Sequence, residues 1–275
     1  MLSNYKIDII YYDNSELLES CEIDNQNHLL YFVSIYKKLV YCFDIKAGTI
    51  NSMATNGPVG CVRVLGFKKL IVAETNGIHE FDFSTLSSIK LNDFVEEDSV
   101  RFNDGRLDSY GRFLIGTMGY PEIIPNKGKL YSYYQGNYKI LLNDITISNG
   151  IAFTSDNKTM FYIDTPTKKV VKYDYNLKSG IISNKSDLIE FKTDSVPDGM
   201  CIDSKQHLFI AEWGGSCISK WDSKNGNLLE RYKLPILNIT SCAIDIHDNI
   251  YITTAKSENI NEQLGGALLY LKFIK

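Results

Sequence analysis

The run Leu29-Leu30-Tyr31-Phe32-Val33, continued by Lys38-Leu39-Val40-Tyr41-Cys42-Phe43-Asp44 and Lys46-Ala47-Gly48-Thr49-Ile50, decides the fold. It reads as a short apolar strand, a turn, an alternating strand ending in an acid, a Gly turn and a last strand. Period-two alternation punctuated by Gly, Asn and Asp is the signature of antiparallel hairpins. The unit recurs: the runs at Leu30, Leu70, Phe113, Met160, Leu208 and Ile250 are separated by 40, 43, 47, 48 and 42 residues. Strand-built units at this period are β-propeller blades, and six fit the 275 residues. The sixth unit lacks a fourth strand, while the strand-like Tyr5-Lys6-Ile7-Asp8-Ile9-Ile10 precedes the first. The expectation is an all-β, six-bladed β-propeller with four antiparallel strands per blade, one domain over residues 1–275. The N-terminal strand closes the last blade and covers its open edge. A pair of β-sandwiches is the rival architecture. No comparably long stretch carries a helical apolar stripe.

Composition narrows the function. Hydrophobic residues make up 44% and charged residues 23%, as in ordinary globular proteins. A net charge of −4 excludes the broad basic footprint of a nucleic-acid binder and a polybasic membrane anchor. No apolar run reaches the length of a signal peptide or membrane span, so the expectation is a cytoplasmic monomer. Cys21, Cys42, Cys61, Cys201, Cys217 and Cys242 include no Cys-x-x-Cys pair and read as buried free thiols. His28, His79, His207 and His247 read as structural residues, mostly in turns. A Gly-x-Ser-x-Gly elbow, a P-loop and a Gly-x-Gly-x-x-Gly run are all missing.

Aligning the first strands on the Asp that ends several of them matches Glu19–Asp24, Asn103–Asp108, Asp198–Asp203 and Thr240–Asp245; Asn149-Gly150-Ile151-Ala152-Phe153 fits at the same offset. Glu19, Asn103, Asn149 and Asp198 then share one repeat position, and pseudo-rotation gathers them at one mouth of the channel. Two carboxylates and two amides form an oxygen-rich cluster suited to a hard divalent cation. Taken singly, Asn-Gly and Asp-Gly are also ordinary turn dipeptides. Arg101 in Arg101-Phe102-Asn103-Asp104-Gly105-Arg106 presents a planar donor fork near the same mouth, suited to a polyhydroxylated or acidic ligand or to a surface salt bridge.

These segments, with Gly111-Arg112-Phe113, Gly116-Thr117-Met118, Ser148-Asn149-Gly150-Ile151-Ala152-Phe153 and Pro197-Asp198-Gly199-Met200, resemble the senescence-marker-protein/gluconolactonase/regucalcin family of six-bladed propellers. The resemblance runs from Glu19 to Gly265-Gly266-Ala267-Leu268. It implies that Glu19, Asn149 and Asp198 bind one divalent cation, calcium first, with zinc, magnesium or manganese as alternatives. It also implies that Arg101 and Asn103 contact substrate, with Glu122 the nearest match to an acid that does so in some members. Asp198 would serve in acid/base catalysis as well. The implied activity is opening of a small-molecule sugar lactone, a metal-activated water attacking the lactone carbonyl. Alternatives are a non-catalytic calcium-binding or protein-interaction propeller, and an esterase or phosphotriesterase using the same metal. The chain departs from the family pattern at Ser20-Cys21, Ile23 and Ser34, and Glu16 and Glu22 lie close to Glu19.

Overall fold

The computed structural model describes residues 4–75, 77–92, 98–257 and 264–274. They form six four-stranded antiparallel sheets and, among the described residues, a single short 3-10 turn at Thr165–Thr167. Blade one comprises Leu18–Asp24, Leu29–Ser34, Leu39–Asp44 and Thr49–Ala54. Blades two to five begin at Val59–Gly66, Val100–Leu107, Ser148–Phe153 and Val196–Ile202, and each runs consecutively through its four strands. Blade six is Asn238–Ile244, Ile250–Ala255 and Ala267–Phe273, completed by the N-terminal strand Tyr5–Tyr12, which pairs antiparallel with Ala267–Phe273. The expected closure by the N-terminal strand is therefore present.

The first strands of the six blades touch one another in a closed ring around the channel. The runs that set the sequence period are the second strands. Leu29–Ser34 is buried at every position, because both of its faces pack on neighbouring blades. The outermost Thr49–Ala54 is largely exposed and polar. The core lies between blades. Phe209 and Ile218 of blade five pack with Ile239, Ile252 and Leu269 of blade six, and Tyr31 and Val33 of blade one with Val59, Leu70 and Val72 of blade two. All six cysteines are free and buried. No helix among the described residues is long and apolar enough to cross a membrane.

Two repeated devices fix the loops. On one face, the Asp that ends a first strand accepts backbone N–H groups of the turn it opens. Asp108 takes Tyr110 and Arg112 at 2.9 and 2.8 Å, Asp203 takes Lys205 and His207 at 2.9 and 2.7 Å, and Asp245 takes His247 and Asn249 at 2.8 and 2.9 Å. On the other face, an acid near the end of the second strand holds the segment entering the first. Glu74 accepts the Asn56 N–H at 2.8 Å, Asp164 the Ile147 N–H at 2.9 Å, and Glu212 the Ser195 hydroxyl at 2.7 Å. The last two clamp the approaches to Asn149 and Asp198. His207 bonds Asp203 at 2.9 Å within its turn; His79 instead lies on the strand Gly77–Asp82, 2.8 Å from Glu74.

Candidate metal and substrate site

Every first strand carries a bulge of one extra residue; in blades one, three, four and five three residues advance against two on the second strand, and in blades two and six two advance against one. In blades three, four and five the registers are Phe102↔Thr117 then Gly105↔Ile115, Ser148↔Asp164 then Ile151↔Tyr162, and Pro197↔Glu212 then Met200↔Ile210. Asn103, Asn149 and Asp198 are thus each the first bulged residue and share one repeat position. A bulge re-aims a side chain out of the pleat, here toward the channel mouth. Neighbouring bulges press together closely. A Cβ on Gly199 would lie 2.7 Å from the Thr240 carbonyl oxygen, and one on Gly150 would lie 2.6 Å from Met200 Cβ. Glycine after Asn149 and Asp198 is what lets the ring of first strands close this tightly.

Blade one corrects the alignment. Its registers are Glu19↔Val33 and Glu22↔Tyr31, so Ser20, not Glu19, is equivalent to Asn103, Asn149 and Asp198. The strand reaches its turn Asp one residue sooner than the others, and alignment on that Asp displaces the count. Ser20 takes φ 57°, and its hydroxyl accepts from Arg63 Nη1 at 2.7 Å and from the Val62 N–H at 2.9 Å. Glu19 nevertheless lines the same cleft, from one residue earlier on the strand. Glu22, its sequence neighbour, is engaged deeper in the channel, 2.9 Å from Arg106 Nη1 and 3.8 Å from Arg63 Nε. Arg63 Nη2 meets Asp104 Oδ1 at 2.6 Å. Together these four ionic side chains plug the channel beneath the cleft.

The cleft has a volume of about 360 Å³. Glu19, Arg101, Asn103, Asn149 and Asp198 supply its polar groups; Tyr36, Tyr120 and Trp213, with Met118, Ile123 and Ile147, supply its walls. Glu122 is exposed and is not among the lining residues, whereas Tyr120, Pro121 and Ile123 of the same loop are. Ile123 borders the cleft at its rim while remaining 58% exposed. Trp213, Tyr36 and Thr165 were not singled out from the sequence; Trp213 ends a second strand directly after the clamp Glu212, which is the one signal that marks it.

The electrostatics are those of crowded negative charge. Burial, then the charge of Asp104, pushes the Glu19 carboxyl up to about 8, against Arg101 and Arg63. Burial, then Glu19 and Asp104, holds the Asp198 carboxyl well above the usual carboxylate range, with Arg101 opposing. Burial draws the Arg101 guanidinium down, against Tyr36 and Glu19. Asp198 Oδ1 and Arg101 Nε are buried with no hydrogen-bond partner among the described residues. Arg101 Nη1 donates to the Phe102 carbonyl at 2.9 Å and to Asn103 Oδ1 at 2.8 Å.

A divalent cation fits this donor set. An unpartnered buried carboxylate oxygen, a second carboxylate beside it and an amide oxygen are hard ligands. A cation between them would offset the burial, and after it the crowding of acidic charge, that raises both carboxyls. Among the described residues no group of three or more His, Cys, Asp or Glu could hold a metal ion. A ligand set here therefore depends on an amide.

Residues 17–256 match the family profile described as the SMP-30/Gluconolactonase/LRE-like region. Regucalcin of Xenopus laevis is 32% identical over 265 residues, which cover 92% of this chain and 88% of that protein. Two solved structures share the fold. Regucalcin, a calcium-binding protein from Agrobacterium tumefaciens, gives a TM-score of 0.90 at 21% identity, covering 98% of this chain and 93% of that one. A gluconolactonase from Xanthomonas campestris gives 0.78 at 17% identity, covering 98% and 89%.

Proposed function

Because this chain belongs to the SMP-30/gluconolactonase/LRE-like family, we propose that it is a divalent-metal-dependent hydrolase that opens sugar lactones. The observation that carries this reading is the buried, unpartnered Asp198 Oδ1 beside Glu19 in a cleft that also presents Arg101. Glu19, Asn149 and Asp198 are the residues that would hold the cation. When bound, a divalent cation supplies Lewis acidity toward a carbonyl oxygen and makes a water more acidic.

The chain's own groups do the rest. Asp198 has two oxygens, so one can serve as ligand while the other accepts the proton of the attacking water. Arg101 Nε, with no hydrogen-bond partner among the described residues, donates to a hydroxyl or carboxyl oxygen of the substrate, and Asn103 holds the guanidinium through Nη1. The faces of Tyr36 and Trp213 offer apolar surface to the carbon skeleton of the ring, an amphipathic match to a molecule with polar edges.

The test is pH-stat hydrolysis of a lactone panel by protein stripped with chelator and reloaded metal by metal. Lactone opening restored by one cation is expected. Asn149→Ala should lose the metal by elemental analysis while circular dichroism stays unchanged. Tight cation binding with no turnover of any lactone or ester would leave the calcium-binding reading in its place. Full metal occupancy in Asn149→Ala would remove that residue from the ligand set.

A further inference from the structure

One chain of hydrogen bonds crosses three blades at the cleft, and its two ends have fixed chemistry. Arg101 Nη1 donates to Asn103 Oδ1 at 2.8 Å. Asn103 Nδ2 donates to Asn149 Oδ1 at 3.0 Å and to the Ser148 carbonyl at 2.8 Å. Asn149 Nδ2 donates to Thr165 Oγ1 at 2.7 Å, and Thr165 Oγ1 donates to the Pro197 carbonyl at 2.8 Å. All four side chains are buried, Thr165 with 8% of its surface exposed.

A guanidinium is a donor only and a backbone carbonyl an acceptor only. Every group between them can be reversed: an amide can turn end for end and a hydroxyl can rotate. The ends remove that freedom. Arg101 requires an oxygen from Asn103, which leaves Asn103 to donate onward, so Asn149 must offer its oxygen on that side. From the other end, the Pro197 carbonyl takes the Thr165 proton, so Thr165 can only accept from Asn149. Reversing the Asn149 amide would set nitrogen against nitrogen at Asn103 and, at Thr165, would draw the hydroxyl proton away from Pro197. Both ends therefore select the same orientation, and it is independent of how oxygen and nitrogen are assigned in any one set of coordinates.

The geometry points to Thr165 as a positioning residue: its hydroxyl locks the Asn149 carboxamide with the oxygen turned away from Thr165 and toward Asn103. For a cation this is decisive, because an amide ligates through its oxygen and the opposite orientation would present N–H groups to it. The consequence for cation binding rests on the function proposed above; the locked amide itself does not. Asn103 belongs to the same device, since both of its amide protons are already donated within the protein.

The test compares Thr165→Val, which keeps the shape and removes the hydroxyl, with Thr165→Ser, which keeps the hydroxyl. Two readouts are taken. Side-chain amide hydrogen exchange of Asn149 is measured by NMR in metal-free protein. Cation affinity is measured with calcium and with manganese through the fluorescence of Trp213, which lines the same cleft. Loss of a partner that orients a metal ligand typically weakens metal binding by about 10–100-fold. Thr165→Val should show that loss together with faster exchange of the Asn149 amide, and Thr165→Ser should match the parent in both. Parental affinity and parental amide protection in Thr165→Val would overturn the assignment. If the parent protein bound no cation, the functional reading would fail, and the amide exchange would still decide for or against Thr165.

Discussion

Two pairs of carboxylates sit one layer apart in the same channel. In the plug, Glu22 and Asp104 face Arg63 and Arg106, with contacts of 2.6 Å from Arg63 Nη2 to Asp104 and 2.9 Å from Arg106 Nη1 to Glu22. In the cleft, Glu19 and Asp198 share Arg101, whose Nη1 is committed to Phe102 and Asn103, while Arg63 reaches Glu19 only from the plug, where it is paired with Asp104. The plug's ionic pairing raises the Arg63 guanidinium, Asp104 and Glu22 outweighing burial. In the cleft the balance is reversed, and both carboxyls are forced toward the neutral form. Similar side chains thus serve opposite ends. A cluster that closes on itself joins the blades; a cluster with fewer cations than carboxylates is the one to which the proposed function assigns a cation.

The largest effect should come from breaking the closed pair. Arg63→Met removes the cation and leaves Asp104 buried without it, while Glu22 keeps Arg106, which should cost about 3–5 kcal/mol of stability in urea unfolding. A loss below 1 kcal/mol would show that the plug does not hold the ring. Next comes the open pair. Asp198→Asn keeps the size and one oxygen ligand but removes the basicity. Turnover at saturating metal should fall about 10²-fold or more, with only a moderate loss of metal affinity. Recovery of the parental kcat at high metal would make Asp198 a ligand only, and Asp104, the other acid of the channel acting on it besides Glu19, is already held by Arg63. The smallest effect should be that of Arg101→Leu, which leaves metal content unchanged and raises KM for sugar lactones about tenfold, the worth of one charged hydrogen bond. Parental KM on every active substrate would remove Arg101 from the substrate contacts.

The blades were legible because each second strand is buried on both faces and so writes an unbroken apolar run, while each Asp-capped turn repeats for one backbone reason. Asn103, Asn149 and Asp198 were legible because the bulge recurs with the blade. Glu19 was placed one residue off, since residue counting along a strand does not register the earlier turn at Asp24. Thr165, Tyr36 and Trp213 escaped for a different reason. Thr165 and Trp213 share a repeat position, each directly after the clamp acid of its second strand, but the side chains there are unlike and so repeat no pattern in the sequence. Glu122 illustrates the reverse: proximity in sequence to the Gly116-Thr117-Met118 strand did not place it among the residues that line the cleft.

The pairing of Tyr5–Tyr12 with Ala267–Phe273 has a consequence during synthesis. The strand made first is the one that is matched last. Tyr12 waits for Ala267, about 255 residues later, and at about 5–20 residues per second the delay is roughly 13–50 s. Through that interval an unpaired strand trails from a growing ring, open to capture by any nascent neighbour. Lys6 and Asp8, joined at 2.7 Å on that strand, put two charges in the path of such a mispairing. The nascent chain thus carries its own safeguard at the place where it remains unfinished longest.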